Sequence, residues 1–234
     1  MPKPPGTHGF TEACFKFLRD LAANNEKPWF EANRATYEAT IKLPLASLVD
    51  AVAAELRQRD LPLEGAPKRS TFRIHRDVRF GKDKSPYKTS IGTVWHRQGS
   101  GKDGAGVLYF HLSPTGCFIA SAFYMPEPEA LDAIRERIRV HPDQWQAMQS
   151  MLSKSGVIME EGYPLTRMPK GYEDLKDAPV SSAIRMRSFI ARQSMTAQLA
   201  TSAKLVPTIA DFAVASLPLL RFGWAAIDEV SRSA

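Results

Sequence analysis

A chain of 234 residues with an apolar fraction of 44% can bury a full core, which excludes a wholly disordered protein. Nowhere do about 18 apolar residues run together, and the start MPKPPGTHG lacks the apolar run of a secretory signal, so the expected address is cytoplasmic, with no membrane partner. The net charge of +6 is local: eight of the 31 basic side chains but only two of the 25 acidic ones fall between Lys68 and Lys88, so that window carries the whole excess.

Residues 1–9 are expected to be a flexible N-terminal segment, and residues 10–234 a single α+β domain, since no repeat and no Gly/Ser linker divides them. Thr11 is placed to cap a helix through Leu21, with Phe15, Leu18 and Leu21 at helical spacing. Pro28 opens a second helix whose apolar period runs from Trp29, Phe30 and Tyr37 through Leu45, Leu48, Val52 and Leu56, with a kink expected at Pro44. The middle is different in character. Thr71 to His75, Ile91 to Arg97, Val107 to Ser113 and Cys117 to Tyr124 are short, rich in β-branched and aromatic residues, and separated by turn signals, which predicts an antiparallel meander. Pro128 and Pro142 open two further helices, Ile184 to Ala191 is a further candidate strand, and Thr196 to Val230 predicts helices broken at Pro207 and Pro218. Strands grouped between helices give an α+β class: a central antiparallel sheet packed by N-terminal and C-terminal helices.

Cys14 and Cys117 fit no metal or redox spacing and are expected as buried, reduced thiols. The basic window is the candidate site. Arg73, Arg76 and Arg79 offer forked donors, and Lys82, Lys84 and Lys88 add point charges, a set suited to phosphate or carboxylate oxygens. Asp77 and Asp83 are expected to orient arginines by ion pairs, and Tyr87 either stacks on a ligand ring or packs. The competing expectation is a solvated loop whose charges pair with acidic residues elsewhere, such as Glu31, Glu38 or Glu55.

The segment TFRIHRDVRFGKDKSPYKTSIG, together with FLRDLAANNEKPWFEANRATYE, LYFHLS, YMPEPEALDAIRERI, MPKGYEDL and RMRSFIAR, resembles the bacterial and fungal family known as domain of unknown function 2461. The resemblance covers most of the chain. It implies an α+β domain, no established reaction, cofactor or substrate, and a turn at Lys170, Gly171 and Tyr172 that brings Lys170 to the basic site. One departure is FIASAFY before Met125, where similar chains tend to carry glycines.

Several motifs point elsewhere and fail on spacing. His75-Arg76-Asp77 is no kinase loop, because Lys82 stands where the catalytic asparagine belongs. GSGKDG is no phosphate loop, because Asp103 follows Lys102 and His96 stands where its first glycine belongs. If Asp103-Gly104 forms a two-residue turn, His96 stands opposite His111 on the more polar face, with Ile91, Trp95, Leu108, Phe110 and Leu112 in the core and Phe72 and Ile74 pointing away from Arg73 and His75. That His pair is a weak candidate for proton or metal chemistry, and no metal or cofactor is expected. The expected partner is an anionic small molecule, with nucleic acid or an acidic protein as alternatives. The sequence assigns neither a reaction nor an oligomeric state.

Overall fold

The computed structural model describes residues 9–79, 83–100 and 104–233. The expectations for residues 1–8, Gly81, Lys82 and Asp103 lie outside the described residues. Thr11 caps α1 (Glu12–Ala23) by accepting the Ala13 N–H at 3.3 Å, and Phe15, Leu18 and Leu21 are buried as their spacing requires. Pro28 sits in the first turn of α2 (Lys27–Ala32). The helix predicted to follow is not continuous. It passes through α3 (Arg34–Tyr37) and a π-helical turn, Glu38–Lys42, into α4 (Leu43–Gln58). Pro44 explains the π turn: it has no N–H for the Thr40 carbonyl, and its ring would crowd that carbonyl in a regular α-turn. The wider turn, in which the Leu43 N–H bonds the Glu38 carbonyl, gives the ring room.

Six strands form one antiparallel sheet: β1 (Leu63–Glu64), β2 (Ile91–Arg97), β3 (Val107–Leu112), β4 (Cys117–Phe123), β5 (Ile158–Met159) and β6 (Phe189–Met195), in the spatial order β1-β2-β3-β4-β6-β5. Leu63 faces Arg97 and Glu64 faces His96, while Ile158 faces Arg192 and Met159 faces Ala191. The three predicted meander strands, β2 to β4, fall within a residue of their expected bounds. Thr71 to His75 is not a strand. It follows the short helix α5 (Pro67–Ser70), meets β2 at the isolated bridge Thr71 to Thr93, and pairs with the returning chain at the isolated bridge His75 to Tyr87. Ile184 likewise lies in α8 (Ser181–Arg185), so the strand predicted from it starts at Phe189.

The chain forms two compact units and passes between them inside β3, β4, β6 and the last helix. The first unit contains the N-terminal helices, β1, β2, Tyr109–Ile119 and Ser194–Asp211. Its core sets α4, through Leu45, Leu48, Val49, Val52 and Leu56, beside β1 and β2, and the Trp95 indole N–H donates to the Val49 carbonyl at 3.2 Å. Each such aliphatic side chain contributes about 1.5–3 kcal/mol on full burial. Cys14 and Cys117 are buried free thiols in this unit.

The second unit holds α6 (Pro128–Val140), α7 (Pro142–Lys154), β5, most of β6 and the helical residues from Phe212 on. Trp145 packs edge-on against Phe189 and Phe222 at 5.7 and 5.3 Å between ring centroids. Here the departure FIASAFY is accommodated by small residues: Ala120, Ser121 and Ala122 are buried, and the Ser121 and Ser216 hydroxyls bond at 2.7 Å. After the short α9 (Ala197–Ala200), the predicted breaks do not occur: α10 (Leu205–Ser233) carries Pro207 in its first turn and Pro218 in its interior. Pro218 leaves the Val214 carbonyl without its helical donor, but Val214 is exposed, so water can take that place. Helix α10 has the length and composition of a membrane span, yet most of its apolar window is buried within the protein, as in a core helix.

Candidate functional site

From Thr71 to Lys88 the chain runs out from the sheet and returns. The Phe72 N–H donates to the Gly92 carbonyl at 3.2 Å, Arg76 to Pro86 at 2.8 Å, and Lys88 to Ile74 at 2.8 Å, which ties the two limbs at their base. The N-terminal helices hold the returning limb. The Asn25 side chain pairs with both backbone groups of Tyr87, donating to its carbonyl at 2.9 Å and accepting its N–H at 3.0 Å. The Tyr87 ring is buried and stacks on Phe30, with centroids 4.1 Å apart and planes 18° apart. Tyr87 therefore packs, and its ring is not offered to a ligand. Phe30 also contacts Phe17 and Tyr37, which accounts for the aromatic period of the second predicted helix.

The loop neutralises much of its own charge. Arg79 forks onto Asp77 (Nε to Oδ1 3.0 Å, Nη2 to Oδ2 2.7 Å), and this pairing holds the Asp77 carboxyl below the usual range. Asp83 accepts from the Ser85 hydroxyl and N–H and from Arg76, and is lowered chiefly by Ser85. Both aspartates thus orient arginines, as their placement among cations suggests. Lys84 donates to the Val78 carbonyl at 2.9 Å. Glu31, Glu38 and Glu55 form no ion pair with the block: they pair with Arg34, Lys42 and Arg59, and Glu31 senses the loop through the nearby His75 and Tyr87.

Two predicted cations stand apart. Arg73 and Lys88 form no ion pair among the described residues. Lys88 is half-buried, and its pKa is lowered first by burial and then by the positive charges of Arg73 and Arg76. Three cations therefore share one neighbourhood at the base of the loop; Arg76 pairs with Asp83, and Arg73, without an ion pair of its own, is near enough to Asp77 to help lower its pKa.

Next to them lies an aromatic surface that the sequence reading did not assign. Phe72, expected to point inward, is 51% exposed, because the segment has no continuous ladder to impose alternation. The Lys88 ammonium lies 5.8 Å from the Phe72 ring centroid, and Tyr109 meets that ring edge-on at 6.1 Å. In β3, Leu108, Phe110 and Leu112 are buried as predicted, which turns Tyr109 and His111 to the other face. The Tyr109 hydroxyl bonds His111 Nδ1 at 2.9 Å, and His111 stacks on Phe118 at 4.7 Å. Alternation in VLYFHL was the available signal for Tyr109. Nothing local marked Phe72.

His96 faces Glu64 across the β1–β2 pair. The turn expected to set His96 against His111 begins at Asp103, outside the described residues; His111 Nδ1 bonds the Tyr109 hydroxyl. No group of three or more His, Cys, Asp or Glu side chains among the described residues is arranged to hold a metal. Lys170 belongs to the second unit, in an exposed turn closed by Gly171 (φ 88°). There Tyr172 donates to Asp132 Oδ1 at 3.0 Å, and the buried Arg135 donates to the Met186 carbonyl at 2.9 Å. The segments MPKGYEDL, YMPEPEALDAIRERI and RMRSFIAR thus meet in the second unit, while the N-terminal and central segments meet in the first.

The family model described as conserved hypothetical protein (DUF2461) matches residues 13–222. The chain belongs to the DUF2461 family. No curated protein and no solved structure matches it. DUF2461 membership spans both clusters, so each is a feature of one matched region, and the family description assigns a reaction to neither.

Proposed function

We propose that this DUF2461 protein binds a small phosphate-bearing or otherwise anionic molecule at the base of the 72–88 loop, with Arg73 and Lys88 as the positioning cations. The observation that carries this reading is the pair of cations that form no ion pair among the described residues, held beside Arg76 in a loop whose other described arginines are paired with aspartates. Like charges brought together at a half-buried position cost stability, and an anion bound there offsets that cost. The backbone bonds at the base of the two limbs and the Asn25–Tyr87 anchor hold the segments that carry Arg73 and Lys88, so these cations are presented without a large ordering cost. Buried reduced cysteines accord with a cytoplasmic location, which we include in the proposal.

Thermal midpoints measured against inorganic phosphate, pyrophosphate, tripolyphosphate and short nucleic acids test it, since a ligand bound only by the native state raises the midpoint. Wild type is expected to shift with a small polyphosphate. Arg73→Ala and Lys88→Met should each weaken binding about tenfold or more, the worth of a charged hydrogen bond. Arg79→Ala, whose partner is Asp77, should keep the shift. A shift with long nucleic acid alone would replace this reading with a backbone-contact protein.

A further inference from the structure

We propose that the anionic ligand also carries a planar aromatic ring, which lies on Phe72 beside Tyr109 while its phosphate meets Lys88 and Arg73: a nucleotide-type small molecule. The inference rests on the anion reading above and narrows it. A large apolar side chain left 51% exposed is unremarkable alone, but this one adjoins the unpaired ammonium of Lys88. Its inner edge is covered by Tyr109, which leaves a ring surface open to solvent. Tyr109 in turn is fixed on three sides. Its hydroxyl bonds His111, its ring meets Phe118 at 5.7 Å, and Gly92 provides the floor beneath it. A Cβ at Gly92 would lie 2.7 Å from the Tyr109 hydroxyl, so a glycine near the start of β2 is what lets the tyrosine lie across it.

Phe72 stands at the foot of the loop against Tyr109 of the sheet, so the platform is built in advance and stands next to the cations. Aromatic faces interleaved with a basic groove are the recurring solution for holding a base and its phosphate together, because stacking tolerates any ring and the cations fix the phosphate end. The patch is short. Among the described cations from Arg73 to Lys88, only Arg73 and Lys88 have neither a carboxylate nor a carbonyl hydrogen-bond partner, a patch that fits one nucleotide and not a strand.

The test compares adenosine triphosphate with tripolyphosphate by isothermal titration of the full chain, in wild type, Phe72→Leu, Phe72→Ala and Lys88→Met. The expected result is at least tenfold tighter binding of the nucleotide in wild type. Both Phe72 variants should bring the nucleotide down to tripolyphosphate affinity while leaving tripolyphosphate unchanged, since leucine keeps apolar bulk but not the ring. Lys88→Met should weaken both ligands. Equal affinity of the two ligands in wild type, or equal weakening of both by Phe72→Leu, would overturn the ring and leave the anion site standing. Failure of both ligands to bind would overturn the anion site itself, and binding only to oligonucleotides would overturn the nucleotide proposal.

Discussion

Lys88 shows how a single residue's surroundings define the site. Burial and two neighbouring arginines depress its pKa, so the native state holds its proton less firmly than the unfolded chain. A bound phosphate would reverse this. Polyphosphate affinity should therefore fall as pH rises through the depressed lysine range, and titrations from pH 7 to 10 should show a decline that Lys88→Met removes. Cys14 makes the opposite kind of statement. Burial pushes its thiol from near 9 to about 12, so the folded state keeps a proton that the unfolded state releases. The stability tied to it is fully present below pH 9 and is lost as pH rises toward 12, by up to about 1.4 kcal/mol per pH unit. Urea unfolding at pH 8 and pH 10 should show a shallower alkaline loss in Cys14→Ala than in wild type. Gly92→Ala tests the platform at the same scale: its methyl must displace Tyr109, and a loss of about 1–3 kcal/mol is expected.

Among the elements, the 72–88 loop is held by few bonds. Asn25→Ala removes both side-chain bonds to Tyr87 and leaves a buried N–H without a partner, a loss of about 1–3 kcal/mol. Amide exchange in residues 76–88 should quicken in that variant while β2 and β3 keep their protection. If exchange in the loop is unchanged, Asn25 is not its anchor. The elements readable from the sequence were those with local signals. Strand β2 matched from Ile91 to Arg97 because β-branched and aromatic residues fill it and turn residues bound it, and α6 and α7 because prolines mark their starts. Strands β1 and β5 have two residues each and show no period at all. The π turn before Pro44, the uninterrupted α10 and the outward Phe72 depend on what neighbours permit, which a single stretch of sequence does not record.

For the whole molecule, the charge count points to the window in which the proposed site lies. The excess of +6 lies in one window, as the sequence indicates, where Asp77 and Asp83 pair with Arg79 and Arg76. The excess is already net of both aspartates; within the window Arg73 and Lys88 stand at the base of the loop, with aromatic residues beside them that charge counting ignores. The most direct measurement is a titration of tripolyphosphate into wild type and into the double variant Arg73→Ala/Lys88→Met, at one fixed salt concentration. Saturable one-site binding in wild type, weakened a hundredfold or more in a variant that unfolds at the same urea concentration, is the result expected. Equal binding by the two proteins would show that these cations do not form the site.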